Sequence, residues 1–443
     1  MAIVNVNKWL DEARMNRFHM LTFFLCICVV TFDGYDLVIY GAAVPLLLKE
    51  FGMSAAQAGV IGSYALFGAA VGALIFGWLA DKIGRKKVIV ICTVLFSVAT
   101  GATGLANGPD AFAICRFLAG LGIGGAMPNI VALASEYAPA KNRALVIAVI
   151  FSGMQIGGIA AAGLSMWLFP LVGWRPIFYI GALPLLLVPV FLKSLPESPV
   201  RLIDSKRIDE IKAILRKLRP EEILPDDITL DIVRTAGKAS VKDVFRENRG
   251  LSTLIIWIVY FMNMYMIFGL GIWLPKLMMD AGFGLGSGLW FLLVLQFAAF
   301  FGSQLAGVLA DWFGAKTTMV GAYLIAFAAI AFMAFTKNFY LLSALVALAG
   351  SGYYAGQNVA HGYVSLYYPP TIRSTAMGLA FGIGRLGAIL GPAIAGLLMS
   401  LKMSLFVNFM GLAVPGLIAA VTILLVQDKY GYTTVQNKIA GNK

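Results

Sequence analysis

Gly77-Trp78-Leu79-Ala80-Asp81-Lys82-Ile83-Gly84-Arg85-Lys86-Lys87 occurs twice in this chain. It returns as Gly307-Val308-Leu309-Ala310-Asp311-Trp312-Phe313-Gly314-Ala315-Lys316-Thr317, with six of eleven positions identical at an offset of 230 residues. The same offset carries Tyr137, Pro139 and Arg143 onto Tyr367, Pro369 and Arg373, and Gly120 and Gly122 onto Gly350 and Gly352. Three separate matches at one offset mark an internal duplication. Each copy of the stretch lies between long apolar runs, so the repeated unit is a set of membrane helices.

The chain has 443 residues, of which 60% are hydrophobic and only 13% charged. A soluble domain has no use for so much apolar surface. Twelve apolar segments of roughly 20 residues follow one another, from 20–48 to 403–427, each long enough to cross a bilayer. They lack the period-two alternation of barrel strands. The expected fold is an all-α polytopic membrane protein, with twelve transmembrane helices in two pseudo-symmetric six-helix bundles. The bundles take residues 1–193 and 250–443, the latter with a cytoplasmic tail, and residues 194–249 form a cytoplasmic linker. Within the linker, Arg207 to Arg219 carries Ile208, Ile211, Leu215 and Leu218 at helical spacing. That amphipathic helix lies on the bilayer surface or against the cytoplasmic helix ends. The polar N-terminus does not read as a cleavable signal peptide. Cys26, Cys28, Cys92 and Cys115 all fall in apolar segments and read as buried free thiols.

The net charge is +12. Its distribution excludes a nucleic-acid surface, because 27 of the 34 Lys and Arg fall on the side of the N-terminus and five on the other. Such asymmetry sets topology and places both termini and the linker in the cytoplasm. A parallel repeat with a midplane site between halves is a transporter architecture that works by alternating access. No metal-ligand cluster, nucleotide loop or nucleophile–base pair appears, so neither an enzyme nor a cofactor is expected. A receptor as sole role is disfavoured by the repeat and by the lack of a signalling domain.

Ionisable residues inside spans cost about 2.5–3.5 kcal/mol each on insertion scales and point to function. Asp33 and Asp36 stand at i and i+3 on one face of the first span, inside Thr31-Phe32-Asp33-Gly34-Tyr35-Asp36. Two carboxylates that close in a low-dielectric site resist being ionised together, which suits at least one to proton coupling. Gly34 between them lets another helix approach, or lets the helix deform. Arg116 in the fourth span can pair with one of the acids and release it on protonation. Arg385 in the eleventh span has no intramembrane acid in its own half, so a substrate carboxylate suits its planar fork. Gln155 is its counterpart at the 230 offset. Further substrate-binding candidates are Asn263 (the counterpart of Asp33), Tyr265, Trp290, Gln296, Tyr353, Asn358 and His361. His361 also competes with the acids for the proton role.

Gly77 to Lys87 resembles the G-x-x-x-D-x-x-G-R-[KR]-[KR] signature of major facilitator superfamily transporters. Arg116 to Gly125 resembles that superfamily's fourth-helix motif, and Pro196-Glu197-Ser198-Pro199 with Arg201 resembles the segment after helix six in several of its porters. Asp33-Gly34-Tyr35-Asp36 is similar to the D-[GA]-[FY]-D signature of aromatic-acid:proton symporters. The string Gly382-Ile383-Gly384-Arg385-Leu386-Gly387-Ala388 is similar to theirs too, and Tyr40-Gly41 looks most like the benzoate-type branch. The resemblance implies that Asp33 and Asp36 are needed for transport and that Arg385 lies near the substrate carboxylate. It also implies import of benzoate, a hydroxybenzoate, gentisate, muconate or a related acid across the bacterial inner membrane by a monomer. A proton-driven exporter is the alternative, weakened because the fifth-helix stretch Ser152 to Ala160 lacks proline. The span-end residues Asp81, Arg85, Lys86, Glu136, Arg143, Asp311 and Arg373 are expected to gate the cytoplasmic side. Asp81 in particular can cap a neighbouring helix or pair with Arg85 or Lys86.

Overall fold

The computed structural model describes residues 2–219, 228–231, 240–434 and 436. Residues 220–227 and 232–239 of the expected linker, and 435 and 437–443 of the expected tail, lie outside the described residues. Twelve helices among the described residues are long and apolar enough to cross a membrane. They are span 1 (Arg17–Phe51), span 2 (Ala55–Ile83), span 3 (Arg85–Thr103), span 4 (Pro109–Tyr137), span 5 (Ala140–Val172), span 6 (Arg175–Ser194), span 7 (Gly250–Asp280), span 8 (Leu285–Phe313), span 9 (Ala315–Met333), span 10 (Phe339–Tyr367), span 11 (Arg373–Ser400) and span 12 (Leu405–Leu424). In lipid every backbone N–H and C=O must be satisfied within the segment, which is why these apolar runs become helices. Span 6 is the irregular one. It passes from α-helix (Arg175–Ile180) through a 3-10 stretch (Leu183–Leu187) back to α-helix (Val188–Ser194). Gly181, Pro184 and Pro189 account for the break, since proline removes an internal donor.

The chain packs as two compact units, 1–36 with 67–158 and 175–236, and 37–66 with 159–174 and 237–443. In the first unit, spans 3 and 4 pack closely. The linker helix Ile208–Leu218 buries Ile211, Ile214, Leu215 and Leu218 against this unit's core rather than against lipid. Its partner is the short N-terminal helix Val6–Asp11, tied by Trp9 Nε1 donating to Leu215 O at 3.2 Å and Arg219 Nε donating to Trp9 O at 3.0 Å. Ala2–Asn5 pairs in parallel with Ile228–Asp231, a four-residue strand pair beside an otherwise helical architecture.

In the second unit, span 7 packs on spans 11 and 12, and span 10 on spans 8 and 9. Residues 37–66, the second half of span 1 and the first half of span 2, belong here as well. Small residues seat them. A Cβ at Gly59 would stand 2.5 Å from Pro392 O, and one at Gly41 2.5 Å from Gly271 O. Ser63 Oγ donates to Ile389 O at 2.5 Å, and Ser400 Oγ accepts from Ala56 N at 2.8 Å.

The duplication is also one of contacts. Gly84 and Gly314, with φ of 99° and 83°, make the left-handed turns between spans 2 and 3 and spans 8 and 9. Gly122 lies against Cys92 O and Gly352 against Ala322 O. Gly157 lies against Thr31 O and Gly387 against Phe261 O. Tyr137 Oη donates to Glu197 O at 2.5 Å, and Tyr367 Oη donates to Gln427 O at 3.1 Å. Both members of each pair are displaced by 230 residues. Gly157→Ala must part spans 1 and 5, at a cost of roughly 1–3 kcal/mol for an overpacked contact. Gly163 in the same span has nothing within 4 Å of the place its Cβ would take. Gly157→Ala should therefore lower the thermal midpoint in detergent, and Gly163→Ala should leave it unchanged.

Candidate functional site

Span 1 is continuous through Asp33 and Asp36, so neither acid caps a helix break. Asp33 and Asp36, three residues apart, share the face of span 1 toward spans 3 and 4, and Gly34 and Tyr35 between them turn to other helices. Asp33 is 4% exposed and faces an apolar crevice of Val29, Val30, Phe96, Ile123, Ala126, Met127 and Ile130. Gly34 lies against the backbone of Met154 in span 5, where any Cβ would overlap the carbonyl. Tyr35 Oη donates to Ile177 O in span 6 at 2.8 Å. Asp36 meets spans 3 and 4. Arg116 Nη1 donates to both of its carboxylate oxygens at 2.8 Å, and Thr100 Oγ1 donates to Oδ1 at 2.8 Å. Asp36 and Arg116 are each 1% exposed. The pairing of spans 1 and 4 expected from the sequence is present, and its acid is Asp36.

The second unit carries the same frame with other side chains. At the 230 offset, Asp36, Thr100 and Arg116 become Met266, Ile330 and Val346, all fully buried. The frame therefore closes with apolar packing at this point, and the ion pair is an addition to it. A buried pair is seldom more stable than well-packed apolar residues of similar volume.

A second cluster lies on spans 7, 10 and 11. His361 Nδ1 is 2.7 Å from Tyr260 Oη, and the imidazole packs on Phe381 with centroids 4.8 Å apart. Tyr260 also meets Phe381 edge-on at 5.8 Å. Phe381 and the half-buried Arg385 stand at i and i+4, on one face of span 11. Asn263 is buried one turn from Tyr260, and its Oδ1 has no hydrogen-bond partner among the described residues. The sequence reading missed Thr100, Tyr260 and Phe381. The signal was available for Tyr260, whose counterpart at the offset is the buried Val30.

Other candidates lie elsewhere. Tyr265 belongs to the opposite face of span 7, on an apolar groove of about 540 Å³ with Phe261, Ile394, Phe406, Met410 and Pro415. With no charged group in its lining, that groove is unsuited to a carboxylate. Trp290 is 39% exposed, stacks on Phe339 and points Nε1 at Ser343 Oγ, 3.3 Å away, so it reads as an edge aromatic rather than a pocket wall. Tyr353 is enclosed against Tyr354. Asn358 Nδ2 donates to Ser303 O at 3.3 Å, Gln296 is buried in span 8, and Gln155 is half-buried in span 5.

At the span ends, Arg85 pairs with Glu136 at 2.6 Å, and Lys86 N donates to Glu197 Oε1 at 3.2 Å. Arg143 pairs with Asp11 of the N-terminal helix at 2.5 Å. Asp81 takes neither of its expected parts. It is exposed and forms no ion pair or hydrogen bond among the described residues. The left-handed turn at Gly84 sends Arg85 across to span 4, and Glu197 caps span 3 instead. Asp311 and Arg373 likewise form no ion pair among the described residues, and Lys316 bonds Asp428 at 3.1 Å.

The sequence model of the Major Facilitator Superfamily matches residues 24–337 and 290–441. The chain is 41% identical to the benzoate transport protein of Acinetobacter baylyi, over 97% of this chain and 94% of that protein. It is 33% identical to the gallate transporter of Pseudomonas putida, over 96% and 95% respectively. The crystal structure of a D-xylose-proton symporter matches with a TM-score of 0.72 over 94% of this chain and 98% of that one. At 17% identity that likeness concerns the fold alone.

Removing one partner of a buried ion pair costs about 3–5 kcal/mol, because the other charge is left uncompensated. Asp36→Met alone and Arg116→Val alone should each lower the thermal midpoint in detergent strongly. The triple variant Asp36→Met, Thr100→Ile, Arg116→Val copies the packing of the second unit and should recover most of the loss. A triple variant no more stable than the singles would show that the ion pair is structural.

Proposed function

We propose that this chain, which belongs to the Major Facilitator Superfamily, imports an aromatic carboxylate with protons across the bacterial inner membrane by alternating access. Both termini lie in the cytoplasm in this reading, and the carrier acts as a monomer. The observation that carries it is the near full-length relation to a protein named for benzoate transport. The chemistry of the two clusters agrees. Arg385 offers a planar fork to a carboxylate, and Tyr260, Phe381 and His361 offer ring faces one helical turn away. Asp33 and Asp36 serve the proton. Asp33 is buried in span 1, one turn from Asp36, where an ionisable group is expensive to place and marks a functional position. Asp36 is paired with Arg116, and in this mechanism protonating it releases the guanidinium and loosens the contact of spans 1 and 4. Binding of proton and anion then both favour the conformer that turns inward, as linkage demands.

The test is uptake of labelled benzoate and 4-hydroxybenzoate into proteoliposomes, with and without an inward proton gradient, against protein-free liposomes that report passive leak. Gradient-driven accumulation above that leak is expected for wild type. Asp33→Asn should retain exchange of substrate between the two sides but lose accumulation. Accumulation that ignores the gradient would refute proton coupling, and no uptake of either acid would refute the aromatic-acid reading.

A further inference from the structure

His361 is fixed on two sides. Tyr260 holds Nδ1 through a 2.7 Å hydrogen bond, and Phe381 supports the ring at 4.8 Å. Tyr260 is itself steadied by Phe381 and by Met377, whose Sδ is 3.5 Å from its hydroxyl. The far nitrogen, Nε2, has no hydrogen-bond partner among the described residues, and the side chain is half-buried rather than enclosed. The fold does not need this polarity. At the 230 offset Tyr260 and His361 correspond to Val30 and Val131, so the other half of the repeat closes with two valines. Asn263, one turn along span 7, adds a buried Oδ1 without a partner among the described residues.

The dimensions suit a small ring. Phe381 and Arg385 are four residues apart, a rise of roughly 6 Å along a helix. That is comparable to the reach of a monocyclic benzoic acid from its carboxylate to its far ring edge. A carboxylate held at Arg385 therefore brings the ring edge level with Phe381 and His361. An unsubstituted ring would leave the imidazole nitrogen unpaired, whereas a ring hydroxyl would satisfy it. Sites built around a hydrogen-bonding group discriminate strongly against analogues that lack it.

We infer that His361, oriented by Tyr260, is the specificity residue that reads a ring hydroxyl, so that hydroxylated monocyclic aromatic acids are preferred over benzoate. The inference rests on the aromatic-acid reading above and names the substrate class of that site.

The experiment is competition in proteoliposomes, using exchange of labelled benzoate against unlabelled benzoate, 3-hydroxybenzoate and 4-hydroxybenzoate. For wild type, one hydroxybenzoate should compete roughly tenfold better than benzoate, the worth of about one net hydrogen bond. His361→Phe keeps the packing on Phe381 and should bring that ratio to about one by weakening the hydroxy acid alone. His361→Gln, whose amide reaches toward the Nε2 position, should restore part of the ratio, and Tyr260→Phe should lower it. Absence of preference in wild type overturns the inference, as does a ratio unchanged in His361→Phe. An equal loss for all three acids, with the thermal midpoint kept, assigns His361 to coupling or architecture and also overturns it. Failure of wild type to exchange any aromatic acid is a separate result, which removes the substrate reading and this inference with it.

Discussion

The guanidinium of Arg116, seated on both oxygens of Asp36, is the interaction in the first unit that can least be changed one partner at a time. Neither charge reaches solvent, so neither can be neutralised by water if the other is withdrawn. The surrounding contacts hold it in register. Gly34 lets the backbone of span 5 come up beside the acid, and Tyr35 ties the next face of span 1 to span 6. Thr100 fixes the rotamer of the carboxylate from span 3. In the proposed mechanism, proton binding at Asp36 removes the charge that balances Arg116. Two acids one turn apart are thus set differently, Asp36 on a guanidinium and Asp33 at a crevice lined by apolar side chains, although the sequence shows them only as neighbours.

How much of this was legible follows from what each signal encodes. Helix count and ends are written in apolar length and in loop charge, and the twelve spans fell where hydropathy placed them. The duplication was legible in a handful of identities, since a close helix approach leaves room for nothing but glycine. The pairing of spans 1 and 4 was legible because each contributes a costly charge that demands a partner. Rotational phase was not legible. Span 7 is apolar all round, so nothing in its pattern says that Tyr265 faces a lipid-like groove while Tyr260, five residues earlier, faces His361. The cap or ion pair expected of Asp81 is absent among the described residues for a related reason. Its signature fixes a turn at Gly84, but which acid meets the basic residues depends on Glu136 and Glu197, distant in sequence and brought in by spans 4 and 6.

The repeat supplies an internal control that few chains offer. Where the two copies agree, as in the glycine contacts at Cys92 and Ala322 or the tyrosine hydrogen bonds to Glu197 and Gln427, the residues serve the shared frame. Where one copy is apolar and the other polar, the polar side chains carry an expense that folding does not require. By that criterion Asp36, Thr100 and Arg116 stand apart from Met266, Ile330 and Val346 in one direction, and Tyr260 and His361 stand apart from Val30 and Val131 in the other. The two departures differ in kind. The first copy holds an acid with a fixed cation, the pair to which the proton role is proposed. The second holds a hydroxyl–imidazole pair beside Phe381, one turn from Arg385, where the anionic ring is proposed to bind. Even the span ends diverge. Arg85 and Glu136 pair in the first copy, where the second has Ala315 and Leu366 and instead ties Lys316 to Asp428 after span 12. With the sites as proposed, the two ligands are held by different copies of one frame and can be coupled only by moving the frame. On that proposal the glycine-lined seams between helices, rather than any contact between the ligands, are the elements that transmit the coupling.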